Sequence, residues 1–234
     1  MDEQQLSEAI EALLVSRNPR HMQRARASLE PGYVRRAARH LSDARGAVII
    51  GTGFPVTGTF ETDGPVGAIA LYDTLVAMGA RPMIACGAPL SSALAQHYEV
   101  LELLARDLST ARDEAAAQLA ALQPSAVVSI ERPGLAADGR YYNMHREDIT
   151  ERCYFFDPFL EQARCPTIAI GDGGNEIGMG NIAGTLAGLD IEASVTGCDE
   201  LLVADVSNWG AYALIAMLAL WSGRDMLGDV SPVH

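Results

Sequence analysis

No lysine occurs anywhere in this chain of 234 residues; all 17 of its basic residues are arginine. That absence excludes the Schiff-base chemistry of pyridoxal enzymes and lysine aldolases, so no pyridoxal phosphate is expected, and it removes the P-loop lysine. A CxxC pair, a GxSxG elbow and an HExxH helix are missing as well. Cys86, Cys153, Cys165 and Cys198 stand far apart and read as reduced thiols. His21, His40, His97, His145 and His234 form no ligand-spaced pair and read as surface or capping residues. Positive charge is scarce: the formal net charge of −13 disfavours nucleic acid, which needs a basic face. The longest apolar run, Trp209 to Trp221, falls short of the roughly 20 residues that span a bilayer. The opening MDEQQLSEAIEALL is acidic and amphipathic, unlike a signal or transit peptide. The expectation is a soluble cytoplasmic protein with a small-molecule ligand and neither a membrane nor a nucleic-acid partner.

What is present points to an α/β fold. At 49% hydrophobic, residues 1–234 can form one domain with a substantial core. Five short β-branched or apolar runs read as buried strands: 46–50, 81–86, 125–130, 166–170 and 201–205. Helical spacing covers 2–16, 33–44, 65–78, 90–106, 109–122, 153–164, 179–188 and 209–222, with a short helix possible in the turn after the first. Strand-helix alternation implies a three-layer, mostly parallel, Rossmann-like sheet with helices on both faces. Residues 1–45 form a helical extension packed against it. In such sheets ligands bind beyond the carboxyl ends of the strands.

Four of those ends carry unusual text: GTGFPVTGTFETDGP from Gly51, ERPG from Glu131, PTIAIGDGGNEIG from Pro166 and SNWGAY from Ser207. Glycines let the backbone turn sharply and approach a ligand, while the acids and amides beside them supply polar chemistry. Asp172 and Glu176 lie four apart across a glycine turn. Either they cap and face solvent, or they point into a crevice, sharing a proton or holding a hard cation such as magnesium or manganese. Glu61, Thr62 and Asp63 form a second acidic cluster whose plainer role is helix capping. Arg132 is placed to grip a carboxylate in two-point fashion, or to bond neighbouring loops. Tyr142 and Asn143 follow a turn at Asp138–Gly139 and can fold over the site. GMGNIA from Gly178 fits GxGxxA, but it starts well after the strand ends, so NAD is not expected.

In order and in register, TGFPV, ETDGPVGA, ERPG with DGRYYNM, GDGGNEIGMGN and SNWGAY resemble the D-glutamate cyclase family, specifically the C-terminal domain of the longer cyclases. The resemblance runs from about Gly51 to Arg224, with HREDI after YYNM less typical. It implies a lyase that cyclises D-glutamate to 5-oxo-D-proline with loss of water. On that reading Asp172 and Glu176 bind a metal or transfer protons at the γ-carboxylate, and Asp63 or Glu61 takes the ammonium proton. Arg132 holds the α-carboxylate. Asn175, Asn208 and the N–H groups of Gly173 and Gly174 donate to the oxyanion, with Thr52, Gly53, Thr62 and Gly64 lining the site. An NAD(P)-binding oxidoreductase and a non-catalytic amino-acid-binding module are the alternatives. Oligomeric state, a homo-oligomer included, is not legible here.

Overall fold

β-branched, uninterrupted runs can only be buried on both faces, and that is where the first strand lies. The computed structural model describes residues 1–227. β1 (Ala47–Thr52) is fully buried and pairs in parallel with two neighbours, Ile49 opposite Met83 on one side and Val127 on the other. The remaining strands of its sheet are β4 (Arg81–Cys86), β5 (Val100–Glu102), β6 (Ala126–Ile130), β7 (Thr167–Gly171) and β8 (Glu200–Val203). Their order is β5-β4-β1-β6-β7-β8, all parallel. A separate two-stranded hairpin, β2 (Pro55–Val56) with β3 (Thr59–Phe60), projects from the loop after β1.

The strand order reverses between β1 and β6. From β1 the chain builds outward to β5, then returns and builds the other way to β8. Connections therefore diverge at the carboxyl ends of β1 and β6 and leave a crevice there. The expected three-layer architecture is present. One face carries α1 (Glu3–Leu14), α3 (Tyr33–Ser42), α4 (Pro65–Ala77) and α9 (Ser207–Ser222); the other carries α6 (Leu108–Leu122) and α7 (Asp157–Glu161). α5 (Leu90–Leu94) packs on β4 and β5, and α2 (Met22–Arg26) touches α8 (Ala183–Leu186) and β8. α9 is apolar nearly all round because it is sandwiched: it meets α3, α4 and the sheet, burying Ala211, Leu214, Ile215, Met217 and Leu218. Leu14, Tyr33, Val34 and Leu41 of the helical N-terminal segment share that hydrophobic core.

The sheet has six strands rather than five. Residues 90–106 are helical only at Leu90–Leu94, after which Val100–Glu102 joins the edge of the sheet beside β4. Three residues are too few to display the two-residue alternation that marks a strand. Residues 153–164 are helical only from Asp157, because Pro158 fits the first turn of a helix and not its interior. The preceding stretch is not helical and buries Cys153, Phe155 and Phe156. Over 179–188 a 3-10 turn (Met179–Ile182) precedes the single turn of α8. His234 lies outside the described residues. Among the described residues no helix is long and apolar enough to cross a membrane.

Candidate active site

Asp63 ends the loop after β1, one residue before Gly64, the N-terminal cap of α4. Gly64 adopts φ 92°, and a Cβ there would come within 2.7 Å of the Glu131 Cβ and 2.8 Å of Thr52 Oγ1. Only glycine lets the start of α4 sit this close to the end of β6. Asp63 does not cap the helix that follows it so much as its neighbour: its carboxylate accepts N–H from Ser207 at 3.0 Å and from Asn208 at 2.8 Å, opening α9. Asn208 returns the favour. Its Oδ1 accepts from Gly64 N–H at 2.9 Å and Gly67 N–H at 2.7 Å, and its Nδ2 donates to Thr62 O at 3.2 Å. The two helices are capped crosswise. Asn208→Ala leaves the Gly67 N–H at the start of α4 without an acceptor, whereas Gly64 N–H keeps Asp63 Oδ1 at 2.9 Å, and should cost about 1–2 kcal/mol, roughly 2–8 °C in Tm; thermal unfolding followed by circular dichroism reads it.

Around this joint lies a cleft of about 500 Å³ whose lining includes Glu61, Asp63, Glu131, Asp172, Gly173, Asn175 and Glu176. The acids come from the ends of β1, β6 and β7, the convergence that the strand order dictates. One carboxylate oxygen each from Asp63, Glu131 and Asp172 lies within 4.8 Å of the other two. Burial raises the carboxyls of Asp172, Glu131, Glu176 and Glu61. Burial first, then Glu176, pushes the Asp172 carboxyl up to about 9, against the pull of Arg20. Glu131 is pushed well above the usual carboxylate range by burial, then by Asp172, Glu176 and Asp63, although the Ser207 hydroxyl donates to it. Glu176 is raised by burial, an effect opposed by the Gly174 N–H, which donates to it at 2.7 Å. Half-buried Glu61 is raised by burial and by Asp63. Carboxylic acids that keep their protons near neutral pH can donate them.

The profile of a family described as "D-glutamate cyclase-like, C-terminal" matches residues 10–232. The chain belongs to this family. Human "D-glutamate cyclase, mitochondrial" is 33% identical to this cyclase-like chain over 221 residues, covering 78% of the chain and 34% of the human protein. The chain thus spans about a third of that relative's length. Among solved structures, an exopolyphosphatase-related protein from Bacteroides fragilis aligns over 82% of this chain and 45% of its own, with a TM-score of 0.47 and 10% identity.

Within this cyclase-like domain several expected site residues sit elsewhere. Arg132 is only 3% exposed and is not among the residues lining the cleft. Its Nη1 donates to Thr52 O at 3.1 Å and Gly53 O at 3.5 Å, and its Nη2 to Tyr154 O, so its fork is spent on main-chain carbonyls. With Thr52 and Gly53 it lines a separate cavity of about 30 Å³. Thr62, Gly64 and Asn208 belong to the crossed caps, and Asn208 already spends one of its two amide protons on Thr62 O. Tyr142 turns its hydroxyl to Asp138 at 2.6 Å, while its carbonyl accepts from Asn175 Nδ2 at 2.8 Å. Asn143 lines the cleft, as do Met144 and, from the less typical HREDI stretch, His145 and Glu147. Gly174 (φ 108°) turns the loop behind it. Asp63, Glu131 and Asp172 form a three-carboxylate cluster, while Glu176 is tied to the Gly174 N–H.

Two residues of the cleft carried little signal. Glu131 stands beside Arg132 at the end of a buried strand, its one cue being a charge at that place, and its backbone takes a left-handed φ of 49°. Arg20 offered none. It lies in the Arg- and His-rich turn of the N-terminal segment, yet its guanidinium pairs with the Asp172 carboxylate.

Proposed function

We propose that this domain cyclises D-glutamate to 5-oxo-D-proline. The observation that carries the reading is the cluster of carboxyl groups, brought from separate strand ends to the floor of one cleft that also holds an arginine. The reaction forms a bond from nitrogen to Cδ, the carbon of the γ-carboxyl group, and breaks a bond from Cδ to oxygen. Two protons leave the ammonium group, and both depart with the oxygen as water. Glu61, at the rim and poised above its ordinary value, takes the first proton from the ammonium. The freed amine attacks Cδ. Asp172, protonated at neutral pH, donates to the γ-carboxyl oxygen, which makes the carbon electrophilic and the oxygen a competent leaving group. Glu131, pushed well above the usual carboxylate range, keeps its proton and so does not repel the dianionic substrate.

A divalent cation also has a place in this reading. The oxygens of Asp63, Glu131 and Asp172 form an all-carboxylate donor set of the kind magnesium or manganese takes. When bound, it would supply Lewis-acid polarisation of the γ-carboxyl group.

The test is direct. Purified protein is incubated with D- and L-glutamate, with chelator, with added manganese and without either, and 5-oxoproline is quantified. The expected outcome is lactam from D-glutamate without NAD. Binding of D-glutamate without any lactam would replace the enzyme by a binding module, and turnover only with NAD would replace it by an oxidoreductase.

A further inference from the structure

Arg20 belongs neither to a strand end nor to a glycine turn. It lies between α1 and α2, in the helical N-terminal segment. Asp205, just past β8 and 2% exposed, fastens that segment to the sheet. Its carboxylate accepts N–H from Arg17 at 2.7 Å and from Asn18 at 3.1 Å, and its own N–H donates to Leu14 O at 2.7 Å. Asn18 turns through φ 51° and accepts from Gln23 N–H at 2.9 Å. Held this way, Arg20 reaches the cleft floor. Nε donates to Asp172 O at 2.9 Å, and Nη2 donates to Asp205 O at 2.9 Å and to the Asp172 carboxylate. Nη1 has no hydrogen-bond partner among the described residues, and the side chain, 32% exposed, lines the cleft. Arg132 is committed to carbonyls. Arg152, the other arginine lining the cleft, also lines the small cavity beside it.

We propose that Arg20 binds the reacting carboxylate of the substrate through this open edge, and that Asp205 is the residue that positions it. The inference rests on the cyclase reading and names its substrate class: an amino acid with a side-chain carboxylate, since the group Arg20 takes is the one lying beside Asp172. A guanidinium there offsets the charge that grows on the carboxyl oxygens as nitrogen attacks. Asp205 touches no substrate; it fixes the turn from which Arg20 projects.

Arg20→Met and Arg20→Lys are compared with wild type by calorimetric binding of D-glutamate and D-glutamine and by steady-state kinetics, with circular dichroism confirming the fold. Wild type should prefer the acid over the amide. Arg20→Met should erase that preference while leaving D-glutamine binding unchanged, and should lower kcat by about 10²-fold. Arg20→Lys keeps the charge but loses the fork, and should fall between. Asp205→Asn should shift both readouts in the same direction, and Arg20→Met combined with Asp205→Asn should be no worse than Arg20→Met alone. An undiminished preference for the acid in Arg20→Met overturns the inference, as does its loss in Arg152→Gln alone. Wild type that binds D-glutamate without turnover removes the cyclase reading but leaves the binding test of Arg20 intact. Wild type that does not bind D-glutamate overturns both.

Discussion

Asp172→Asn is expected to lower kcat for D-glutamate cyclisation by about 10²–10⁴-fold, the range general acids contribute. The change keeps size and the capacity to accept from Arg20, and removes the transferable proton. Asp172 stands in the only position shared by the acidic cluster and the guanidinium of Arg20 that the described residues provide. The pH profile separates this from mere structural damage. Activity needs Glu61 ionised and Asp172 protonated. It should therefore climb as pH rises through the raised value of Glu61, and decline as pH passes about 9, where Asp172 gives up its proton. Because the acids interact, that alkaline limb belongs to the cluster as a unit. Asp172→Asn should flatten the limb in whatever activity survives. A variant that retains wild-type kcat, or the wild-type alkaline limb, removes Asp172 from the chemistry.

Glu131→Gln should make the protein more stable. In the unfolded chain Glu131 ionises near its ordinary 4.5, whereas in the fold burial and the charges of Asp172, Glu176 and Asp63 keep its proton on to much higher pH. The folded state then binds more protons than the unfolded one. The favourable contribution is complete below about 4.5 and is lost as pH rises toward the folded value. Glutamine has the shape of the protonated acid and carries no such dependence. At pH 7.5 the variant should gain about 1–3 kcal/mol, with Tm raised by several degrees and a shallower dependence of Tm on pH. Manganese should raise the Tm of wild type and not that of Glu131→Gln, if the three-carboxylate set holds it. An unchanged or lowered Tm at pH 7.5 would mean that Glu131 is comfortable in its site, and the proposed protonation of the floor would fall with it.

The sheet was legible because its strands are nearly pure β-branched or apolar runs bounded by glycine and proline, a pattern little else produces. β5 was not, because three residues at an edge carry no period. The helix expected over 153–164 failed for a specific reason: the run Cys153–Phe156 is apolar enough for a helix, but it buries itself without one. At the site, Asp172, Glu176, Glu61 and Asp63 stood out because acids beside glycines have few structural uses. Their partners did not stand out. Arg132 follows a strand just as a substrate clamp would, and nothing in ERPG says that its fork is consumed by carbonyls 80 and 22 residues away. Arg20 lies 152 residues from Asp172, and their pairing exists only once Asp205 has drawn the N-terminal turn onto β8. Local text reveals which groups are chemically odd; which of them face one another is decided by tertiary contacts.

The reciprocal capping of α4 and α9 has a bearing on how the cleft meets its ligand. Asp63 is at once a wall of the cleft and the peg that locks one helix to the next, so neither helix can swing without breaking bonds at the reaction centre itself. The acidic floor is therefore a mould cast before the guest arrives. Selection falls to fit and charge at fixed positions, and whatever movement admits the amino acid belongs to the hairpin and the 143–147 strand-free rim above it.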